Sequence, residues 1–401
     1  MKKITYGKNV YGREEIQAVI NTLKKNTQMS ANVEKFERKI SNKFSGKYGL
    51  MVNSGSSAII LGLKVLNLKL NDEVIVPCLN FGTAISSLTF LGLRPIFVDI
   101  KIDSLQIDED LIEKKITKKT KALMIPNLIG NIPNWAKINR IAKKHNLKII
   151  EDSADTIGAK FNGKSTGFYS DISVTSFYGS HVISCAGNGG MLILKNKKDY
   201  NNAKILRSWG RLSSTLKYSE NIKDRLSVIL KGYDYDKKFV FEKPGFNFEP
   251  SEIGAAFGLQ QFKKLNKFSK IRNLNFKYHQ TFFLGLNKYF ISPKVYKNVY
   301  TNFLAYPLII KKESGIKRKD LQIFLEKNNI QTRPIFTGNI LRHPAFNCLV
   351  SNKNKLNSFR NSDYIMKYGL LVGCHQGLSK KEVSYIHSAV MNFNGIKNSY
   401  K

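Results

Sequence analysis

The sequence is poor in cysteine, poor in acidic residues and without a long apolar run, and each shortage closes off a class of protein. Only four cysteines occur in 401 residues. They are Cys78, Cys185, Cys348 and Cys374, and none belongs to a Cys-x-x-Cys pair. A chain of this length folds without a disulfide framework. No local spacing among the four supports a zinc or iron–sulfur site, so no metal is expected. No apolar stretch reaches the ~20 residues that span a bilayer, and membrane insertion is not expected. The opening segment, Met1 to Tyr11, has lysines but no apolar h-region, and it does not read as a secretory leader. The expectation is a cytoplasmic protein.

The acid shortage is large. Asp and Glu number 29 against 65 Lys and Arg, a formal net charge of +36. Such a charge raises the question of nucleic acid. The cations are mostly Lys and are spread along the whole chain. No recognition-helix, zinc-finger or RNP pattern accompanies them, so nucleic-acid binding is not expected. A positive surface would still draw in a nucleotide diphosphate.

Hydrophobic residues at 42% and aromatics at 11% fit a folded globular chain and argue against long disorder. The length suffices for one large domain and a smaller partner, each with its own core. Ile16, Val19, Ile20 and Leu23 recur at helical spacing, as do Val33, Phe36, Ile40 and Phe44. Asn53-Ser54-Gly55-Ser56-Ser57 then offers good cap residues ahead of the apolar stretch Ala58 to Leu66. Strands and helices alternate from there. Strands are expected over 73–76, 95–100, 121–126, 147–151, 172–177 and 190–194, and helices over 82–93 and 135–145. This alternation predicts an α/β domain with a mainly parallel sheet. Residues 207–247 form a long polar and aromatic excursion, of the kind that usually carries function. A helix from Glu252 to Phe268 continues to about Leu286. Shorter strands and helices follow, including 303–310 and 318–328. The division expected is 1–286, an N-terminal segment and large domain with its linking helix, and 287–401, a smaller C-terminal α+β domain. No internal repeat or low-complexity tract is evident.

In open α/β sheets, ligands collect at the carboxyl ends of the strands. Three groups fall at such ends or at helix starts. Gly55-Ser56-Ser57 would present free N–H groups and a positive dipole end to an anion, although alone it reads first as a plain helix cap. Asp152, in Glu151-Asp152-Ser153-Ala154-Asp155, could be a cap, a metal ligand or a partner for a ring nitrogen. His181 follows Ser176-Phe177-Tyr178-Gly179-Ser180. A lone His is more often structural than catalytic, but a strand end followed by a loop of small residues favours function.

Taken in order, these pieces resemble the DegT/DnrJ/EryC1/StrS family of pyridoxal-phosphate sugar aminotransferases. The resemblance spans nearly the whole chain. It runs from Tyr11-Gly12-Arg13-Glu14-Glu15 through 52–58, 77–83, Glu151-Asp152, Ser176-Phe177-Tyr178 and Gly245-Phe246-Asn247 to Gly373-Cys374-His375-Gln376-Gly377-Leu378. It implies the aspartate-aminotransferase architecture (type I pyridoxal-phosphate fold) and a homodimer. It also implies roles. Gly55, Ser56 and Ser176 would hold the cofactor phosphate, with Asn247 reaching it from the other subunit. Phe81 would stack on the pyridine ring. Asp152 would pair with the ring nitrogen and keep it protonated, which makes the ring a better electron sink.

One departure is informative. The aminotransferases carry, at the third position after Ser-Phe-Tyr, a Lys that forms the Schiff base and moves protons. Here that position is His181. Histidine has no primary amine, but it can act as a general base near neutral pH. This pattern is similar to the nucleotide-sugar 3-dehydratases of the family. So are Gly232-Tyr233-Asp234-Tyr235 and Arg207-Ser208-Trp209-Gly210-Arg211. One branch of that subgroup carries an iron–sulfur cluster and acts on CDP-4-keto-6-deoxyglucose. At its cysteine positions this chain has Ser153 and Leu212-Ser213-Ser214-Thr215, which argues against the cluster. The other branch acts on GDP-4-keto-6-deoxymannose, with pyridoxamine phosphate as resting cofactor and glutamate as amino donor. The expectation is therefore C3 dehydration of a nucleotide-linked 4-keto-6-deoxy sugar, with His181 as base. The loop 186–190, Ala-Gly-Asn-Gly-Gly, is one residue longer than the family's Gly-Glu-Gly-Gly. Arg333, Asn339, His343 and His375 are further substrate-side candidates. Two rivals stand beside this reading. One is an aminotransferase in which Lys160 or Lys164 has taken over, and the other is a silent cofactor- or sugar-binding homologue with a regulatory role.

Overall fold

The computed structural model describes residues 3–216, 221–350 and 356–397. Its central element is a seven-stranded sheet. The strands, in chain order, are β1 (Tyr48–Val52), β2 (Glu73–Pro77), β3 (Arg94–Val98), β4 (Thr120–Pro126) and β5 (Lys148–Asp152). A small hairpin of β6 (Lys160–Phe161) and β7 (Lys164–Ser165) intervenes before β8 (Ile172–Ser176) and β9 (Gly190–Leu194). The order across the sheet is β1-β9-β8-β5-β4-β2-β3. β9 runs antiparallel to both neighbours, and every other pairing is parallel. The fold is thus α/β with a mixed, mostly parallel sheet, as the alternation of elements predicts.

The apolar runs explain why these segments are central strands. A parallel sheet covered on both faces needs apolar residues at successive positions, not at alternate ones. Val74-Ile75-Val76 and Leu123-Met124-Ile125 supply them. Because side chains alternate across a strand, Leu50, Val52, Val74, Val76, Ile150 and Val174 join one core. Ile75, Leu123, Ile125 and Ile149 join another on the opposite face. Helices Gly55–Val65 and Gly82–Phe90 cover the first face through Ala58, Leu61, Ala84 and Leu88. Helix Trp135–Lys144 covers the second through Trp135, Ile138 and Ile141.

A single helix, Glu252–Leu284, runs for 33 residues to a four-stranded antiparallel sheet. That sheet has the order Phe290–Ile291, Ala305–Ile310, Gly369–Gly373, Arg333–Pro334. Its own core includes Phe276, Phe283, Tyr306, Leu308, Leu370 and Val372. Among the described residues, no helix is long and apolar enough to cross a membrane.

Two local expectations are corrected. The helix beginning at Gly82 ends at Phe90, not at Leu93, because Gly92 takes a left-handed conformation (φ 67°) and turns the chain into β3. The first helix, Arg13–Lys25, does form, but its apolar stripe is not buried within this chain: Ile16, Ile20 and Leu23 are exposed. The excursion 207–247, of which 217–220 lie outside the described residues, contains a small exposed hairpin of Val228–Leu230 and Tyr233–Tyr235.

Candidate active site

The parallel strands end on one edge of the sheet, and a cavity of about 470 Å³ opens there. That is the size range of small-molecule sites. It is lined by Gly55, Ser56, Phe81, Asp152, Ser176 and His181, which four separate stretches of sequence bring together.

At one end lies the start of helix Gly55–Val65. Ser54 caps it, its hydroxyl accepting from the Ser57 N–H at 3.1 Å. The first-turn amides of a helix have no intrahelical acceptor. With the helix dipole they make a positive pole suited to a phosphate. Gly55 is required by close approach: a Cβ there would lie 2.9 Å from the Ser176 Cβ. The end of β8 therefore sits directly against the helix start, and its hydroxyl joins the same pole.

Asp152 ends β5. Its Oδ1 accepts the Ala154 N–H at 3.0 Å, and among the described residues no lysine or arginine pairs with it. Burial pushes its carboxyl up to about 6, against that one hydrogen bond. A carboxylate so placed favours a cationic partner from outside the chain. Behind it, Glu151 is buried and fully engaged. It accepts from Asn127 Nδ2 (2.9 Å), Ser153 Oγ (2.8 Å) and the Gly167 N–H (2.7 Å). This network fixes the strand end from the far side. Phe81, at the start of helix Gly82–Phe90, is 57% exposed over the opening, and Phe336 meets it edge-on at 6.2 Å. The cavity thus has an anion pole, an unpaired acid and an aromatic face, which suits a phosphorylated aromatic ring with a cationic edge.

His181 projects into the same space. Burial lowers its ring to about 4; the Ser176 carbonyl opposes this and the Arg272 guanidinium adds to it. The ring is therefore neutral, the form of a base, at ordinary pH. Nδ1 is buried with no hydrogen-bond partner. Nε2 lies 3.9 Å from Asp155 Oδ1, while Asp155 Oδ2 accepts the Ile129 N–H at 2.8 Å. Burial, with the nearby Asp152, raises the Asp155 carboxyl to about 7.

Among the described residues, no lysine lines this cavity. Lys160 and Lys164 are exposed on the β6–β7 hairpin. Asn247 is exposed and is not among the lining residues of its own chain. The C-terminal candidates are engaged elsewhere. Asn339 is buried between the Cys78 thiol and Asp363. His375 holds the Thr5 carbonyl and the Gly377 N–H. His343 contacts the Thr337 carbonyl, and Arg333 is exposed. Asn188 from the longer loop does line the cavity, where Ala186 (φ 56°) and Gly187 (φ 112°) turn the chain. Residues that the sequence reading left without a role are also there: Tyr6, Asn80, Asp155, Tyr178 and Phe336. For Asp155 a signal existed, since it ends the Glu-Asp-Ser-Ala-Asp run. For Tyr6 there was none, because its segment is placed by a bridge between Ile4 and the distant Ile330.

The chain belongs to the DegT/DnrJ/EryC1/StrS aminotransferase family, whose model matches residues 9–391. Within that class it is similar to 3-dehydratases, and also, at 30% identity over 305 residues, to a GDP-perosamine synthase of Escherichia coli O157:H7, covering 76% of each chain. It is 31% identical over 389 residues to a GDP-4-keto-6-deoxy-D-mannose 3-dehydratase of Escherichia coli O55:H7, covering 94% of this chain and 95% of that one. It is 31% identical over 374 residues to the lipopolysaccharide biosynthesis protein RfbH of Salmonella typhimurium, covering 90% and 84%. A solved GDP-4-keto-6-deoxymannose-3-dehydratase with a trapped PLP-glutamate geminal diamine superposes with a TM-score of 0.85 at 29% identity, covering 96% of this chain and 99% of that one. The architecture is the type I pyridoxal-phosphate fold that the resemblance implied.

Proposed function

We propose that this protein removes the C3 hydroxyl of a nucleotide-linked 4-keto-6-deoxy hexose, using pyridoxal/pyridoxamine phosphate and glutamate, in the making of deoxysugars for a surface polysaccharide. The observation that carries the reading is a cavity lined by a neutral histidine and, among the described residues, by no lysine. The relatives' dehydratase names support it, and GDP is the nucleotide their names favour.

The residues fit the cofactor. Gly55, Ser56 and Ser176 would hold the phosphate at the helix pole, Phe81 would cover the ring, and Asp152 would pair with the ring nitrogen. When bound, the protonated ring supplies the electron sink for a carbanion at the attached carbon. His181, neutral and facing the cavity, would accept the proton at its ring nitrogen. As imidazolium it then offers a proton to the departing C3 hydroxyl, and Asp155 steadies the charge. A base of this kind contributes about 10²–10⁴-fold. The net reaction balances: sugar and glutamate give the 3-deoxy sugar, 2-oxoglutarate and ammonia, with glutamate as the reductant.

The same reading includes a homodimer. The exposed stripe of Ile16, Ile20 and Leu23 is apolar surface of the kind a subunit contact covers. Asn247, away from its own cavity, is free to reach a partner's phosphate. A cytoplasmic site of action belongs to the proposal too, and four free thiols suit a reducing compartment.

The test is mass spectrometry of products from GDP-, CDP- and dTDP-4-keto-6-deoxy sugars with glutamate present. A 4-keto-3,6-dideoxy sugar and free ammonia are expected. A 4-amino sugar would make the protein an aminotransferase, and cofactor binding without any product would make it a silent homologue.

A further inference from the structure

The loop that carries His181 is gripped from behind by two side chains that do not line the cavity. Arg272, in the long helix, is wholly buried. Its Nη2 donates to the carbonyl of His181 at 3.4 Å. Its Nη1 donates to the carbonyls of Phe303 (2.9 Å) and Leu304 (3.0 Å), just ahead of strand Ala305–Ile310. Its Nε donates to Gln376 Oε1 at 2.6 Å. Gln376, beyond strand Gly369–Gly373, donates in turn to the carbonyl of Val182 at 3.4 Å. Two consecutive carbonyls, at His181 and Val182, are thus held by a joined pair anchored in the C-terminal sheet.

Every acceptor on this guanidinium is neutral. A buried cation without a carboxylate in contact is costly, and an apolar side chain of like volume is often as stable or more so. Packing alone therefore does not account for an arginine here. Its field does reach the site: it lowers the ring of His181 and the carboxyl of Asp155.

We infer that Arg272, braced by Gln376, is a positioning residue that fixes the main chain of the base and sets a positive charge behind its ring. This rests on His181 being the base. The charged and titratable groups around the ring are Asp155, Asp152, Tyr6, Tyr178 and Arg272. The two acids favour a proton on it, and the guanidinium opposes them.

The experiment is a histidine ¹⁵N NMR titration of the cofactor-free full chain, with the His181 signal assigned by its loss in His181→Asn. The informative variant is Gln376→Glu. It keeps an acceptor for the Arg272 Nε and places a negative charge against the guanidinium. The His181 midpoint is expected to rise by about one pH unit, the shift a nearby opposing charge typically causes. Arg272→Met should raise it as well, whereas Arg272→Lys should restore the wild-type midpoint with a lower kcat. Variants that melt earlier but leave the His181 midpoint in place would overturn the inference and make Arg272 structural only. Failure of the underlying reading shows itself separately, as undiminished turnover by His181→Asn.

Discussion

Nε2 of His181 lies 3.9 Å from Oδ1 of Asp155, slightly beyond hydrogen-bond length, with the other Asp155 oxygen tied to the Ile129 N–H. The carboxylate is thus held beside the ring without claiming its nitrogen. It leaves the neutral imidazole free to act and stabilises the cation that forms. Asp155→Asn should keep an acceptor for Ile129 and remove the charge. A fall in kcat of about 10–10²-fold is expected, toward the lower end of a general base's contribution. Any limb of the pH–rate profile near the Asp155 midpoint of about 7 should also disappear, because the variant carries no acid there to titrate. A profile that keeps both height and position would show that the pair is incidental.

The base itself is tested by two substitutions. His181→Asn should retain cofactor, since phosphate and ring are held by other residues, and should lose dehydration by about 10²-fold or more. His181→Lys places a primary amine where the family's aminotransferases carry one. It should gain a borohydride-reducible link to the cofactor, read as a mass increment on the tryptic peptide that contains position 181. Wild-type protein should show no such increment at any lysine. A reduced adduct on Lys160 or Lys164 would return the chain to the aminotransferases.

Much of this site was legible in the sequence because its parts are local. The Ser54 cap and Gly55 announce an anion pole wherever they occur at a helix start. Asp152 and Ser176 close apolar strand runs, so sheet direction alone puts them on one edge. His181 stands out as a departure from a family position. What was not legible depends on distant pairing. Tyr6 enters the cavity on the segment where Ile4 bridges to Ile330, and Arg272 acts through carbonyls contributed by two separate stretches. The exposed stripe on the first helix marks another limit. Periodicity shows that Ile16, Ile20 and Leu23 share a face, but not whether that face is covered within the chain. Asn339 and His375 were misleading for a physical reason: polar side chains in loops beside a site satisfy buried backbone and neighbouring groups as readily as they meet a substrate.

Asp152 provides a test independent of turnover. A buried acid with one amide donor and no cation should bind a protonated ring nitrogen strongly. Removing one member of a buried ion pair costs about 3–5 kcal/mol, or about two to three orders of magnitude in affinity. Fluorescence titration of the cofactor-free protein should show that loss for Asp152→Asn. Binding within a few-fold of wild type would mean that the ring nitrogen lies elsewhere.

Stability should also depend on pH through histidines that are buried uncharged. His279 donates from Nε2 to the Gly373 carbonyl (3.0 Å) and takes a proton from His387 at Nδ1 (3.0 Å), an assignment the chain of acceptors requires. Protonating His279 sets two N–H groups against each other. Burial lowers the ring of His279 to about 3, and those of His181, His375 and His387 to about 4. A base whose folded pKa is depressed gives stability that is complete above its unfolded value, about 6.5, and is lost as pH falls toward the folded value. The raised acids, Glu37, Glu151, Asp152 and Asp155, act the other way. Asp152 and Asp155 give stability that is complete below about 3.9 and is lost as pH climbs through about 6 and about 7. Between pH 6.5 and 4.5 the four histidines pull the melting temperature of the cofactor-free protein down, while the raised acids oppose that fall. In His279→Gln that fall should shrink, because a group that resists protonation has been removed. Bound cofactor should flatten the decline on the alkaline side, since a ring cation then compensates Asp152. Calorimetric scans across this range, with and without pyridoxal phosphate, would separate the two effects. A fall that is unchanged in His279→Gln would place the acid sensitivity outside the His279–His387 pair.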